Sequence, residues 1–376
     1  MGVGWKPNLR ATTLGSLPHT DVVKGTALSL AATPEIPAWV QFPRRHPKEA
    51  MIVQFTEGMA GLREEGGRTF FDTKASGFEE ELLGFYERYL AFQEGEDEAL
   101  AAFALSPQYA AGFPEFLRQL HKHPTPLVAV KGQVTGPFTL GTNLTDQDRR
   151  PSYYDERLRD MIVKSLGLKA AWQIRELKPF CQRVIIVIDE PGLVAFGSST
   201  FTAISHQDVL RDLNEVASAI HAEGALAGVH CEANTDWSLL MEAELEIVDF
   251  DAYEHFQVMT LYPEELAAFL GRGGILGWGI VPTLNLEAAA TETVESLEAK
   301  LEEQVAELER RGHKREALLS QTLLTPSCGM GTLSEGLAER ALGLLKELSG
   351  RLGAKGEKVN RGRNMHIPPS RRRGGG

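Results

Sequence analysis

The chemistry most particular to this sequence sits in two places: His230, Cys231 and Glu232 in one run, and Cys328 nearly a hundred residues later. Imidazole and thiolate are favoured ligands of a borderline-soft ion such as Zn2+. Three such donors leave one coordination position open, as a catalytic zinc needs. A thiol bound there loses its proton and becomes a nucleophile at neutral pH. The same residue types also serve plain packing, with Cys231 and Cys328 as small buried hydrophobes and His230 as a satisfied interior histidine. Asp189 and Glu190 come next, two adjacent carboxylates after the apolar run Arg183–Ile188. They cannot both face a core. One suits a ligand's ammonium group and the other a salt bridge to a neighbouring strand; the alternative is a turn cap. Gly15 and Ser16, in Gly15-Ser16-Leu17-Pro18, offer backbone N–H groups and a hydroxyl to a carboxylate, although such a stretch is also ordinary turn chemistry.

These residues lie at the ends of short β-type runs. Ala11–Ser16, Pro126–Val134, Arg183–Ile188, Ala225–His230, Ile247–Phe250, Ile275–Ile280 and Ser320–Leu324 read as strands. Apolar residues at helical spacing fill Asp155–Lys178, His206–Glu223 and Glu287–Arg311 between them. Alternating strands and helices imply a parallel sheet. The spacing of the strands favours a closed (β/α)8 TIM barrel, an α/β fold in a single domain, over an open sheet. Seven strands are read directly, and an eighth is expected within residues 52–72, at Arg68–Phe71. No G-x-G-x-x-G follows a strand, so the dinucleotide-binding fingerprint is missing. In a parallel barrel the active site lies where the strands end, and Gly15-Ser16, Thr135-Gly136-Pro137, Asp189-Glu190, His230-Cys231-Glu232, Asp251 with Glu254, and Cys328 all fall there.

The 376 residues carry 39 Lys+Arg against 51 Asp+Glu, a net charge of −12. That balance disfavours a general nucleic-acid binder. Hydrophobic residues at 43% supply a sizeable core, and three cysteines are too few for a disulfide framework and suit a reducing compartment. No run approaches the ~18 apolar residues of a membrane helix, and Met1–Arg10 lacks the apolar core of a signal peptide, so a cytoplasmic protein is expected. Charge is uneven: residues 351–376 hold eight Lys/Arg and one acid, while the first 350 hold 31 basic against 50 acidic residues. The expected organisation is a barrel over 1–350 and a basic disordered tail over 351–376.

Taken in order, Thr13-Leu14-Gly15-Ser16-Leu17-Pro18, Lys131-Gly132-Gln133-Val134-Thr135-Gly136-Pro137, Ile188-Asp189-Glu190-Pro191, His230-Cys231 with Asn234-Thr235-Asp236-Trp237, and Thr325-Pro326-Ser327-Cys328-Gly329 resemble the cobalamin-independent methionine synthase family. The resemblance is to its catalytic C-terminal barrel, within a superfamily shared with uroporphyrinogen decarboxylase and the methylcorrinoid:thiol methyltransferases. It runs over roughly residues 10–345. It implies that Gly15 and Ser16 bind the carboxylate of an amino-acid substrate and that Asp189 binds its amino group. It implies a metal held by His230, position 232, an acidic residue near 251–254 and Cys328. Position 232 is Glu where the family has Cys, and Cys231 lies one place earlier, so the second ligand is Glu232 or Cys231. The acidic ligand is Asp251 or Glu254.

The expectation is therefore a zinc-dependent methyltransferase acting in methionine biosynthesis. Asp189 and Glu190 are its candidate catalytic residues, and His230, Cys231, Glu232, Asp251 and Cys328 its candidate ligands. It would move a methyl group to a small-molecule thiol, homocysteine first. The family's large members use an N-terminal half to bind methylfolate; this chain has only the barrel, so a methylcorrinoid protein is the other donor. The rivals are a uroporphyrinogen-type decarboxylase, whose arginine-rich signature is absent, and a non-catalytic metal- or ligand-binding barrel.

Overall fold

The structure, a computed structural model, describes residues 4–232 and 235–364, with the backbone alone from 354 onward. Among them nine strands form: β1 (Arg10–Ala11), β2 (Leu62–Glu65), β3 (Arg68–Phe71), β4 (Val130–Thr135), β5 (Val184–Asp189), β6 (Leu226–Cys231), β7 (Ile247–Phe250), β8 (Ile275–Val281) and β9 (Thr322–Pro326). Seven make one parallel sheet in the order β1-β9-β8-β7-β6-β5-β4. Runs such as Val184–Asp189 are buried along their whole length, the pattern of strands covered on both faces. Helices such as Glu156–Leu177 and His206–Ala222 form the outer layer. The second is started by a capping box between Ser205 and Asp208.

The eighth stave is not where the sequence placed it. Arg68–Phe71 pairs antiparallel with Leu62–Glu65 in a separate hairpin. The gap between β1 and β4 is filled by residues 37–41. The Lys131 amide donates to Pro37 O (2.9 Å) and the Trp39 amide to Lys131 O (3.3 Å) on one side. On the other, the Gln41 amide donates to Gly15 O (3.1 Å) and the Leu17 amide to Gln41 O (3.0 Å). Pro37 has no N–H to give to a ladder and Pro43 follows closely, so the segment reads as a loop by composition. The ring thus closes as a TIM-barrel-like single α/β domain.

Strand alternation divides the core in two. Val130, Val134, Ile186, Ile188, Val229, Cys231, Val248 and Phe250 face the helices. Ile36, Ala129, Ile185, Val187, Ile247, Ile275 and Leu323 form a separate apolar plug. Farther along the same inward rows the residues turn polar: Lys131 and Gln133, then Asp189, His230 and Asp249. The apolar plug fills the floor, and the polar layer lies at the C-terminal ends of the strands.

Two further expectations change. Glu287–Arg311 is two helices, Leu286–Thr291 and Val294–Arg310, the second capped by Thr293. The last helix spans Glu335–Asn364 and so occupies the first part of the expected disordered tail; residues 365–376 lie outside the described residues. No helix among the described residues is long and apolar enough to cross a membrane.

The helix Gly112–Leu120 locks the 37–41 stave, because a Cβ at Gly112 would overlap the Val40 carbonyl oxygen. Gly112→Ala is expected to destabilise the fold by about 2–3 kcal/mol, read as a lowered denaturant midpoint. A midpoint equal to wild type would mean that the stave is not held there.

Candidate functional site

Parallel pairing puts Thr135, Asp189, His230 and Asp249 in one row across β4 to β7. Because strand side chains alternate, His230 and Glu232 share the inner face while Cys231 turns outward. Cys231 is fully buried in the apolar layer under the helices. The outer face thus takes the cysteine, and the inner face receives the glutamate.

One ligand atom each from His230, Glu232 and Cys328 lies within 4.8 Å of the others. The Cys328 thiol donates to Glu232 Oε2. His230 is 4% exposed, and its Nδ1 is hydrogen-bonded to Asp249 Oδ1 at 2.8 Å. Its Nε2 is buried without a hydrogen-bond partner. A carboxylate on Nδ1 keeps the proton on that nitrogen and makes Nε2 the atom that would take a metal in place of its own proton, which is how metal-binding histidines are usually supported. Burial opposes protonation of His230, yet Asp249 and Cys328 hold its pKa well above the ordinary value. Burial pushes the Cys328 thiol up to about 11, with His230 pulling the other way and Glu232 adding to the rise. As a lone thiol Cys328 is a poor nucleophile at neutral pH.

Asp251 does not join this group. Its Oδ1 accepts from the Tyr253 and Glu254 amides, both at 2.9 Å, and caps the turn after β7. Glu254 is exposed and takes a hydrogen bond from Asn285 Nδ2 at 3.2 Å. Asp249, two residues earlier, is the acid that reaches the histidine. A search of strand ends misses it because it lies inside the strand, although an acid in the middle of Ile247–Phe250 is itself a signal. Lys131 and Gln133, inside Val130–Thr135, escape notice as site residues for the same reason.

Asp189 faces the interior, 6% exposed, with Oδ1 unpartnered. Burial raises its pKa to about 6 against the charges of Lys131 and His230, and Asp249 and Glu232 add to the rise. Glu190 turns the other way. It makes no salt bridge to a neighbouring strand; it accepts from the Phe138 amide (2.9 Å), the Thr139 amide (2.8 Å) and the Thr139 hydroxyl (2.6 Å). It therefore pins the Thr135-Gly136-Pro137 turn and the start of the helix Pro137–Asn143. Gly15 has φ +123°, and a Cβ there would come within 2.8 Å of Gln133 Nε2 and 2.9 Å of Gln41 Oε1. Ser16 next to it takes the Gly331 amide on its Oγ (3.3 Å) and the Met330 amide on its carbonyl (3.0 Å). Gly15, Ser16 and the Cys328 loop are thereby tied together. The Ala195–Thr202 segment, a loop near the site by composition, is anchored by Phe196 and Phe201 against Phe138. Asn234, part of the resemblance, lies outside the described residues.

No protein-family model matches the chain. A methionine synthase of Methanocaldococcus jannaschii is 22% identical over 219 residues, 58% of this chain and 63% of that protein, so the match spans less than two thirds of the relative. A solved methyltransferase from Methanosarcina mazei has a TM-score of 0.53 at 12% identity and covers 92% of this chain and 94% of that one, a likeness of fold. Together they support a methyltransferase-like barrel.

The buried acids carry a pH consequence. Burial lifts Glu190 to about 7, against its hydrogen bonds from Thr139 and Phe138 and above the ordinary 4.5. The native form then holds a proton that the unfolded chain has released, so this stabilisation is complete below pH 4.5 and lost as pH rises through about 7. Asp189 and Asp251, each raised to about 6, act in the same direction. Denaturant midpoints of the metal-free protein are expected to fall between about pH 5 and pH 7.5, and Glu190→Gln to remove part of that fall. A midpoint that rises across the window would contradict the assignment.

Proposed function

We propose that this barrel is a metal-dependent methyltransferase, methionine synthase-like, that moves a methyl group to a small thiol such as homocysteine. The observation that carries the proposal is the buried His230–Asp249 pair, with Nε2 unpartnered and Glu232 and Cys328 beside it. A purely structural histidine would have both nitrogens satisfied. The donor set of one imidazole, one carboxylate and one thiol fits a zinc ion, with a position left for a ligand from solution. A metal held there would lower the pKa of a bound thiol and so supply a thiolate at neutral pH.

The remaining work belongs to the chain itself. Asp249 orients the imidazole. Asp189, on the next strand, aims an unpartnered carboxylate oxygen into the interior, where it would receive the substrate's ammonium group. Gly15 and Ser16, wired to Gln41 and the Cys328 loop, shape the wall along which the amino-acid end lies. Glu190 holds the turn after β4 in place and acts on the substrate only through it. Fixing acceptor and donor in line is the larger part of such a transfer. The donor in this proposal is a methylcorrinoid protein or a methylfolate, and the protein is placed in the cytoplasm.

Wild-type protein purified without chelator is expected to hold about one zinc per chain and to methylate homocysteine from a methylcobalamin or methylfolate donor. Cys328→Ala is expected to lose both metal and activity. Asp249→Asn should keep the ligands but bind the metal about 10–100-fold more weakly. Elemental analysis and a methylation assay on the three proteins decide it. Full activity in Cys328→Ala would sink the proposal, and metal without any thiol methylation would leave a metal-binding barrel.

A further inference from the structure

Lys131 is one of the buried charges in the barrel interior to which the proposed function gives no task. It is 1% exposed, on the inward row of β4. Its ammonium makes one hydrogen bond, to the Leu14 carbonyl, at the long distance of 3.4 Å. An ammonium has three N–H donors, and a buried cation with its donors unspent is held at a considerable desolvation cost. Asp189 stands inward on the neighbouring strand β5 with its Oδ1 unpartnered. Burial lowers the Lys131 pKa and raises that of Asp189, and the attraction between the two opposes both shifts, yet no ion pair joins them. Two buried groups of opposite charge on adjacent strands ordinarily pair. Here the lysine's hydrogen bond goes to the Leu14 carbonyl, one residue before Gly15, and the pair stays open.

The acceptors that might otherwise satisfy Lys131 are engaged elsewhere or stand apart. Asp249 is bonded to His230 (2.8 Å), and Glu232 to Cys328. Gln133 gives its Nε2 to Trp39 O (3.1 Å) and keeps a buried, unpartnered Oε1. On β9, which adjoins β1, the Thr325 hydroxyl is also buried without a partner. Ser16 accepts the Met330 and Gly331 amides, which leaves its own N–H and O–H as neutral donors, so the wall formed by Gly15 and Ser16 carries no formal charge. The buried ammonium of Lys131 reaches the Leu14 carbonyl, next to this wall.

We propose that Lys131 is a specificity-determining residue that binds the anionic end of the ligand, so that Lys131 and Asp189 together select an α-amino acid in its zwitterionic form. The ligand's carboxylate lies toward Lys131 near Gly15, and its ammonium lies on Asp189. A zwitterion satisfies both buried charges at once and adds no net charge to the interior. An amine or an acid alone leaves one of them unmet. This rests on the proposal that the mouth takes a small amino-acid thiol, but it concerns binding alone and not methyl transfer.

The test is calorimetric titration of the protein as purified with four probes: L-homocysteine, 4-sulfanylbutanoate without the amine, 3-aminopropane-1-thiol without the carboxylate, and L-2-aminobutyrate without the thiol. Wild type should bind homocysteine most tightly. Lys131→Met should weaken homocysteine, 4-sulfanylbutanoate and L-2-aminobutyrate by about tenfold or more and leave 3-aminopropane-1-thiol unchanged. Lys131→Arg should restore part of the loss. Asp189→Asn should show the opposite selectivity, with 4-sulfanylbutanoate spared. Lys131→Met removes an incompletely satisfied buried charge, so its melting temperature should equal or exceed that of wild type. Equal losses for all four probes, no loss for any, or a wild type that binds none of them overturns the proposal. Should Lys131→Met fail to fold, Lys131→Arg decides the matter: a change in affinity for the acids and none for the amine supports the proposal, and no change overturns it. The thiol proposal fails separately, if L-2-aminobutyrate binds as tightly as homocysteine.

Discussion

The hydrogen bond from His230 Nδ1 to Asp249 Oδ1 is buried and 2.8 Å long, and it decides which ring nitrogen is available at the barrel mouth. It exists because β6 and β7 pair in a register that sets the two residues side by side. Strand periodicity then turns both of them, together with Glu232, toward the axis. A one-residue slip would send His230 into the apolar layer and bring Cys231 inward. Register and chemistry are therefore one constraint: the arrangement that buries Val229, Cys231 and Phe250 under the helices also assembles the polar interior.

The barrel tolerates that polar interior because its apolar requirements are met in other places. One hydrophobic layer lies between strands and helices, and a smaller plug fills the floor. Above the plug, Lys131, Asp189 and His230 are buried with donors or acceptors left unspent. Groups held in such a state detract from stability, and in a folded protein they are concentrated where a ligand is bound. Glu190 and Asp251 are buried with raised pKa values as well, but their carboxylates accept amides of nearby turns and so shape the loops.

Much of this is legible in the residues. Seven of the eight staves follow from apolar runs that end in Gly, Pro or acidic residues, and Asp189, His230, Glu232 and Cys328 stand out by their places at strand ends. The misses have physical causes. Residues 37–41 are hidden by proline, which reads as a breaker even where the chain is extended and bonded on both sides. Arg68–Phe71 is a true strand that belongs to a different sheet from the one expected, since strand propensity says nothing about the partner. Asp249 and Lys131 are hidden because side-chain direction depends on register, which a single strand does not reveal. The choice between Cys231 and Glu232 needs the same information, and so does that between Asp251 and its neighbours.

In the proposed site His230, Glu232 and Cys328 share one metal ion that still has room for a thiol. The decisive experiment is zinc K-edge X-ray absorption on the loaded protein, before and after addition of homocysteine. One sulfur is expected among the zinc neighbours in the protein alone, from Cys328, and two after the thiol is added. Failure to load zinc, two sulfurs at the outset, or a sulfur count that homocysteine does not change would contradict it.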